Sequence, residues 1–186
     1  MPSLDLRTTK IDAGIVDVVV LAPSDTAAVT RSATSPAAPR ATRSTFPWRV
    51  LTLRRAEGTR CTGAWEIVHG RIEANETPAD AARREVREET GLEVQRLYSL
   101  AVNPFYLHQS DTVHFALVFA AVVAPAASVA LGVEHDAYAW RSATAARRTL
   151  AWPREHQAVD YAMHLLRTGD AGAVEDVLRI PGNPSP

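Results

Sequence analysis

The chain has 186 residues, a formal net charge of −1, 46% hydrophobic residues and a single cysteine, Cys61. That length suits one domain around one core, and the balanced charge gives no basis for nonspecific binding to nucleic acid or an acidic membrane. One cysteine excludes an internal disulfide or a cysteine-built metal cluster. The longest apolar run (residues 115–124) is too short for a bilayer and the N-terminus lacks a basic-then-apolar leader, so a cytoplasmic protein is expected.

Residues 14–21 (GIVDVVVL) are β-branched, are followed by Pro23, and read as a strand. Residues 22–45 are almost all Ala, Ser, Thr, Pro and Arg, the composition of an extended, mobile insertion long enough to reshape a pocket. Residues 48–54 (WRVLTLR) resume as a strand, and residues 64–68 form another short one. Arg54 and Arg55 close the former and are candidate substrate contacts: Lys10 is the only lysine, so arginine must supply any phosphate contact. Adjacent strand residues alternate, so one of the two faces away.

The stretch from Gly70 to Leu92, GRIEANETPADAARREVREETGL, carries most of the information. Its fixed points are Gly70, Glu76, Arg84, Glu85, Glu88, Glu89 and Gly91. Thr77 as N-cap, Pro78 at the first helical position, Asp80 in a capping-box position and Gly91 as a left-handed cap predict a helix over residues 78–90. Glu85, Glu88 and Glu89 stand at i, i+3 and i+4 and so share one arc, while Ala79, Ala82 and Val86 line another side for burial. Arg84 precedes Glu88 by one turn and can orient its carboxylate. Carboxylates so placed repel one another, and a divalent cation of the Mg²⁺ or Mn²⁺ type removes that penalty. A solvated charged face is the ordinary reading of an Arg/Glu run; the bracketing glycines and Glu76 set this one apart.

Residues 93–105 and 112–123 predict a strand pair around a turn at 108–111, the second strand apolar enough to be central. Residues 134–140 lead into a last strand. Residues 153–167 carry Val159, Met163 and Leu166 at helical spacing, residues 171–178 add a helical turn or two, and the tail from 179 to 186 is expected to fray. Trp65, Phe105, Tyr106 and Trp152 are candidate stacking partners for a planar ring, Tyr106 being placed with the substrate-binding residues. His69, beside Gly70, is a further candidate contact, although a lone histidine is more often structural.

With every fixed point filled, the segment resembles the signature box of the Nudix hydrolases. The resemblance implies an α/β/α sandwich around a mixed sheet, with the box as a loop-helix-loop, and Mg²⁺- or Mn²⁺-dependent cleavage of a phosphoanhydride. It implies metal ligation by Glu85, Glu88, Glu89 and the Gly70 carbonyl. Catalytic roles are expected for Glu85, Glu88, Arg84 and Glu134, the last being an acidic residue before a strand as related enzymes often place one. Glu76 and Gly91 serve the box structurally. Val68–His69 stands where many members have Pro–Gly. Over residues 14–168 the chain is loosely similar to the branch that cleaves dihydroneopterin triphosphate or dATP. The expected reaction is hydrolysis of a nucleoside or pterin triphosphate to the monophosphate and pyrophosphate. The alternatives are a dinucleoside polyphosphate or nucleotide-sugar hydrolase, and a non-catalytic domain that senses a nucleotide. The expected partner is a small nucleotide-like molecule rather than nucleic acid or a membrane, and a homodimer is a possible assembly.

Overall fold

Of the 186 residues, the computed structural model describes 9–24, 48–125 and 127–182. The β-branched run near the N-terminus forms the middle of the sheet as β1 (Lys10–Pro23), with Val16, Val18, Val19 and Leu21 fully buried. One edge of β1 pairs in parallel with β6 (Thr112–Val122), in register from Ile15↔Ala116 to Leu21↔Val122. Its other edge is shared by two strands. β4 (Val68–Arg71) pairs with the first half, from Ile15↔Arg71 to Val18↔Val68, and β2 (Trp48–Arg55) with the end, Leu21↔Val50. β2 also carries β3 (Trp65–Glu66) and β7 (His135–Arg141). Beyond β6 lie β5 (Arg96–Leu107) and β8 (Arg179–Ile180).

Period-two alternation sends β1 side chains to two cores. Val16, Val18, Val20 and Ala22 meet Ala81, Ala82 and Val86 of α1 (Pro78–Thr90). Val19 and Leu21 meet Ala158, Val159, Ala162 and Met163 of α3 (Pro153–Leu165) and Ala146 of α2 (Ala143–Thr149). Helices thus cover both faces of one mixed sheet, the α/β/α sandwich expected, and a strand buried on both faces reads as a continuous apolar run.

Several boundaries differ from expectation. Ala22 and Pro23 still belong to β1, and the remainder of the proposed insertion falls outside the described residues from 25 onward. The short strand at 64–68 is two, β3 and β4, on either side of Ile67. The strand after the box begins at Arg96 and runs on to Leu107. Helix α2 had no visible periodicity, because only alanines (Ala143, Ala146) face the core; Ser142 caps it by accepting from the Ala145 amide at 3.3 Å. A 3₁₀ turn (Gly172–Val174) and α4 (Glu175–Leu178) follow α3. The fraying expected from 179 is corrected at Arg179 and Ile180, which pair with Tyr98 and Leu97 and so cover the open edge of β5. Among the described residues, no helix is long and apolar enough to cross a membrane.

Candidate active site

Local chemistry fixes the ends of α1 and therefore the height of every side chain on it. The Thr77 hydroxyl accepts from the Asp80 amide at 3.2 Å, Pro78 opens the first turn, and Gly91 adopts φ 67° while its amide donates to the Arg87 carbonyl at 2.8 Å. Burial of Ala81, Ala82 and Val86 then sets the rotation of the helix. It lies so close to β4 that a Cβ on Gly70 would stand 2.0 Å from Glu85 Cδ. Glycine is needed at 70 for this approach and at 91 for the left-handed cap.

Arg84 organises the acidic residues. Its Nε and Nη2 each donate to Glu76 at 2.9 Å, Nη1 donates to Glu85 at 2.8 Å and Glu88 at 3.0 Å, and Nη2 also reaches the Arg71 carbonyl at 2.8 Å. All the N–H donors of the guanidinium are thereby engaged. The Glu76 hydrogen bonds, with those to Glu85 and Glu88, raise the Arg84 pKa above its ordinary value against the opposing effect of burial. Glu76 is shifted down, chiefly by Arg84. Burial pushes Glu85 up, with Arg84 opposing and the nearby Glu88 charge adding to the rise.

Glu89 has a different environment. It is 8% exposed, and one carboxylate oxygen has no hydrogen-bond partner among the described residues. Burial first, then the charges of Glu85, Glu66 and Glu134, push its pKa up to about 9, with Arg55 opposing. Arg55 lies between two of these acids: Nη1 donates to Glu134 at 2.8 Å and Glu66 at 3.2 Å. His135 Nε2 is 3.1 Å from Glu66, and its Nδ1 is 4.0 Å from Glu89. Among the described residues, no three His, Cys, Asp or Glu side chains already form a metal cage. Arg84 holds the Glu85 and Glu88 carboxylates, whereas among the described residues no cation is in hydrogen-bond contact with Glu89.

A cavity of about 640 Å³ opens beside this cluster, with Arg55, Glu66, His69, Phe105, Trp152 and Arg154 in its wall. Tyr106 also lines it but is 55% exposed, its hydroxyl donating to Asp111 at 3.0 Å. Arg54 is not part of the wall: it points to Asp136, with Nε 2.7 Å from the carboxylate. Behind the wall lies Asp17, fully buried, 2.6 Å from His69 Nδ1 and 3.0 Å from Arg154 Nε. Burial opposes ionisation of Asp17, but His69 and Arg154 together hold its pKa below the usual carboxylate value. The Arg154 guanidinium lies over Phe105 at 4.6 Å and over Trp152 at 5.3 Å, and Phe105 also stacks with His114 at 5.1 Å. Arg141 lies over the Trp65 ring at 4.6 Å. Three rings considered as stacking partners for a substrate are thus already covered by arginine.

Asp17, Glu66, His135, Arg154 and Glu155 did not stand out from the sequence. For one of them the signal was present: Asp17 is the lone charge inside GIVDVVVL, within a run of β1 (residues 15–22) that is buried throughout.

Comparison with known proteins places these features in a family. Residues 38–162 match the family described as NUDIX domain. Among curated proteins, an octanoyltransferase of Myxococcus xanthus is 40% identical over 101 residues, which cover 50% of this chain and 26% of that protein. The match thus spans about a quarter of that relative's length. Among solved structures, the NUDIX domain of Shewanella oneidensis NrtR complexed with ADP ribose aligns with a TM-score of 0.62 at 12% identity, covering 89% of this chain and 94% of that one. The E. coli dihydroneopterin triphosphate pyrophosphohydrolase aligns with a TM-score of 0.55 at 24% identity, covering 78% and 92%. At such identities the likeness is one of fold.

Proposed function

The chain belongs to the NUDIX family, and from that premise we propose that it is a pyrophosphohydrolase using Mg²⁺ or Mn²⁺, acting on a nucleoside or pterin triphosphate and releasing the monophosphate and pyrophosphate. The observation that carries this reading is the pairing of a braced carboxylate cluster (Arg84 with Glu76, Glu85 and Glu88) with the buried oxygen of Glu89 that has no partner among the described residues, the acidic group reaching a cavity of nucleotide size through Arg55 and Glu66.

Glu85, Glu88, Glu89 and the Gly70 carbonyl are the groups that would hold the metal. They fit it chemically: all are hard oxygen donors, one Glu89 oxygen lacks a partner among the described residues, and Gly70 leaves Glu85 the room that a Cβ would fill. When bound, such an ion supplies charge neutralisation on the phosphate oxygens and acidifies the attacking water. Arg84 keeps Glu85 and Glu88 at fixed positions, and Glu76 fixes Arg84 in turn. Arg55 stands between Glu66 and Glu134, where it meets phosphate from the cavity side. A carboxylate among Glu85, Glu88 and Glu134 accepts the proton of the attacking water. The E. coli neighbour acts on dihydroneopterin triphosphate, which motivates including pterins with nucleotides.

The test is a turnover panel with Mg²⁺ and Mn²⁺ over NTPs, dNTPs, dihydroneopterin triphosphate, dinucleoside polyphosphates, ADP-ribose and a nucleotide sugar. Glu85→Gln and Glu89→Gln should each lower the rate by at least about a hundredfold. Wild-type turnover in both variants would remove the proposed site. Preferential cleavage of a dinucleoside polyphosphate or nucleotide sugar would replace the substrate class. Tight nucleotide binding with no turnover would turn the reading into that of a sensing domain.

A further inference from the structure

Among the arginines in the cavity wall, Arg154 is the one for which, among the described residues, both terminal nitrogens are without a hydrogen-bond acceptor. Arg55 uses Nη1 on Glu66 and Glu134, which leaves only Nη2 for the phosphate contact proposed above; Arg60 uses Nη2 on Gln109 at 2.9 Å, and Arg71 uses Nη2 on Asp12 at 3.0 Å. Arg154 uses only Nε, on Asp17; its Nη2 stands 4.0 Å from Glu155, outside hydrogen-bond range. Among the described residues, neither Nη1 nor Nη2 has an acceptor within hydrogen-bond distance. The side chain is nonetheless fixed, by buried Asp17 on one edge and by Phe105 and Trp152 over its face. It is a pre-set fork of N–H donors in the wall of a cavity.

We propose that Arg154 reads the ring of the substrate, and that the cavity takes an oxo-ring of the guanine or pterin type in preference to adenine. Guanine offers O6 and N7 side by side, and a pterin offers its 4-oxo group and N5 in the same way, so both match a two-donor fork. Adenine places an amino donor where the oxo acceptor would be, leaving one arginine N–H facing another donor. The charge balance also favours a neutral ring over phosphate as the partner: Asp17 already neutralises the guanidinium, so little net charge is left to hold an anion, while the N–H donors remain. A ring in the plane of the guanidinium would continue the layer that Phe105 and Trp152 flank.

The inference rests on the triphosphate reading for the reaction but is tested separately from it. Wild-type protein and the Arg154→Lys and Arg154→Gln variants are compared by equilibrium binding of GMP, AMP and 7,8-dihydroneopterin without metal. Hydrolysis of GTP, ATP and 7,8-dihydroneopterin triphosphate is then followed with metal. The expected wild-type preference for oxo-rings is about tenfold or more. Arg154→Lys keeps the charge beside Asp17 but loses the fork; it should abolish most of that ratio through KM, with kcat changed by less than about threefold. Arg154→Gln, which can both donate and accept, should move the ratio toward adenine. Equal wild-type binding of GMP and AMP would overturn the proposal. So would a loss in Arg154→Lys that is the same for both rings, the signature of a phosphate contact or a merely structural role. If no triphosphate is hydrolysed, the reaction proposed above fails and the binding comparison alone decides this one. If a variant does not fold, as judged by circular dichroism, the wild-type ratio decides it.

Discussion

Arg84 and Arg154 sit on helices that pack against opposite faces of the sheet, and each meets a buried or half-buried carboxylate. Their use differs. Arg84 engages every donor on Glu76, Glu85, Glu88 and the Arg71 carbonyl. Among the described residues the Arg154 side chain hydrogen-bonds to Asp17 alone, and aromatic rings rather than acids hold its face. A saturated guanidinium is a brace: it stiffens its neighbours and has nothing left for a ligand. A half-used one, held equally firmly, is a reader. The side chain alone does not distinguish the two roles; the count of unused donors does.

The sharpest way to break this comparison is to remove the brace. Arg84→Met keeps the methylene packing but leaves Glu76, Glu85 and Glu88 without their shared cation. We expect kcat/KM to fall by about a hundredfold or more, and stability in urea to fall by about 2 kcal/mol. If activity falls while the urea midpoint stays at the wild-type value, Arg84 acts on substrate and is not a brace.

A smaller effect is expected from Gly70→Ala. Its added Cβ would lie 2.0 Å from Glu85 Cδ, and Glu85 cannot move without leaving Arg84. Displacing one carboxylate by about an ångström should cost roughly 10- to 100-fold in turnover. The Gly70 backbone is not left-handed, so the fold should change little. Wild-type kinetics in Gly70→Ala would show that the contact between β4 and α1 does not set the site.

The same contrast explains what could be read from the sequence. The brace lies within one continuous stretch, Gly70 to Gly91, where helical periodicity, capping residues and fixed spacing all act on neighbouring positions. Its helix, both caps and the Arg84–Glu88 pair follow from local rules. The reader is assembled from Asp17 on β1, His69 on β4, Phe105 on β5, His114 on β6, and Trp152 and Arg154 at the start of α3. No local rule connects these positions; only strand order brings them together. Arg54 and Arg55 show the intermediate case. Alternation along a strand says that one of the pair turns away, but the partners decide which: Asp136 takes Arg54, and Glu66 with Glu134 takes Arg55. Helix α2 was missed for a simpler reason, since alanines at the contact positions give little apolar contrast.

The smallest expected effect concerns Glu155, next to the reader. It is fully buried, and among the described residues neither carboxylate oxygen has a hydrogen-bond partner. Burial raises its pKa well above 4.5, the charges of Asp17 and Glu66 add to the rise, and Arg154 and the Ile67 amide oppose it without closing a hydrogen bond. The folded protein therefore keeps Glu155 protonated at pH values where the unfolded chain ionises it. Below about pH 4.5 the group is protonated in both states and has no effect on the pH dependence. As pH rises above that, the unfolded state binds fewer protons than the folded one, and wild-type stability declines toward the folded-state pKa. Glu155→Gln removes that titration while nearly preserving shape. Urea melts should show the variant equal to or slightly below wild type near pH 4 and more stable at pH 7, by about 1 kcal/mol, the scale of relieving one poorly satisfied buried group. A stability difference that does not change between pH 4 and pH 7 would mean that Glu155 ionises alike in both states. Asp17 would then share its pocket with a second buried charge, and the neutral Asp17–Arg154 pair on which ring reading depends would no longer hold.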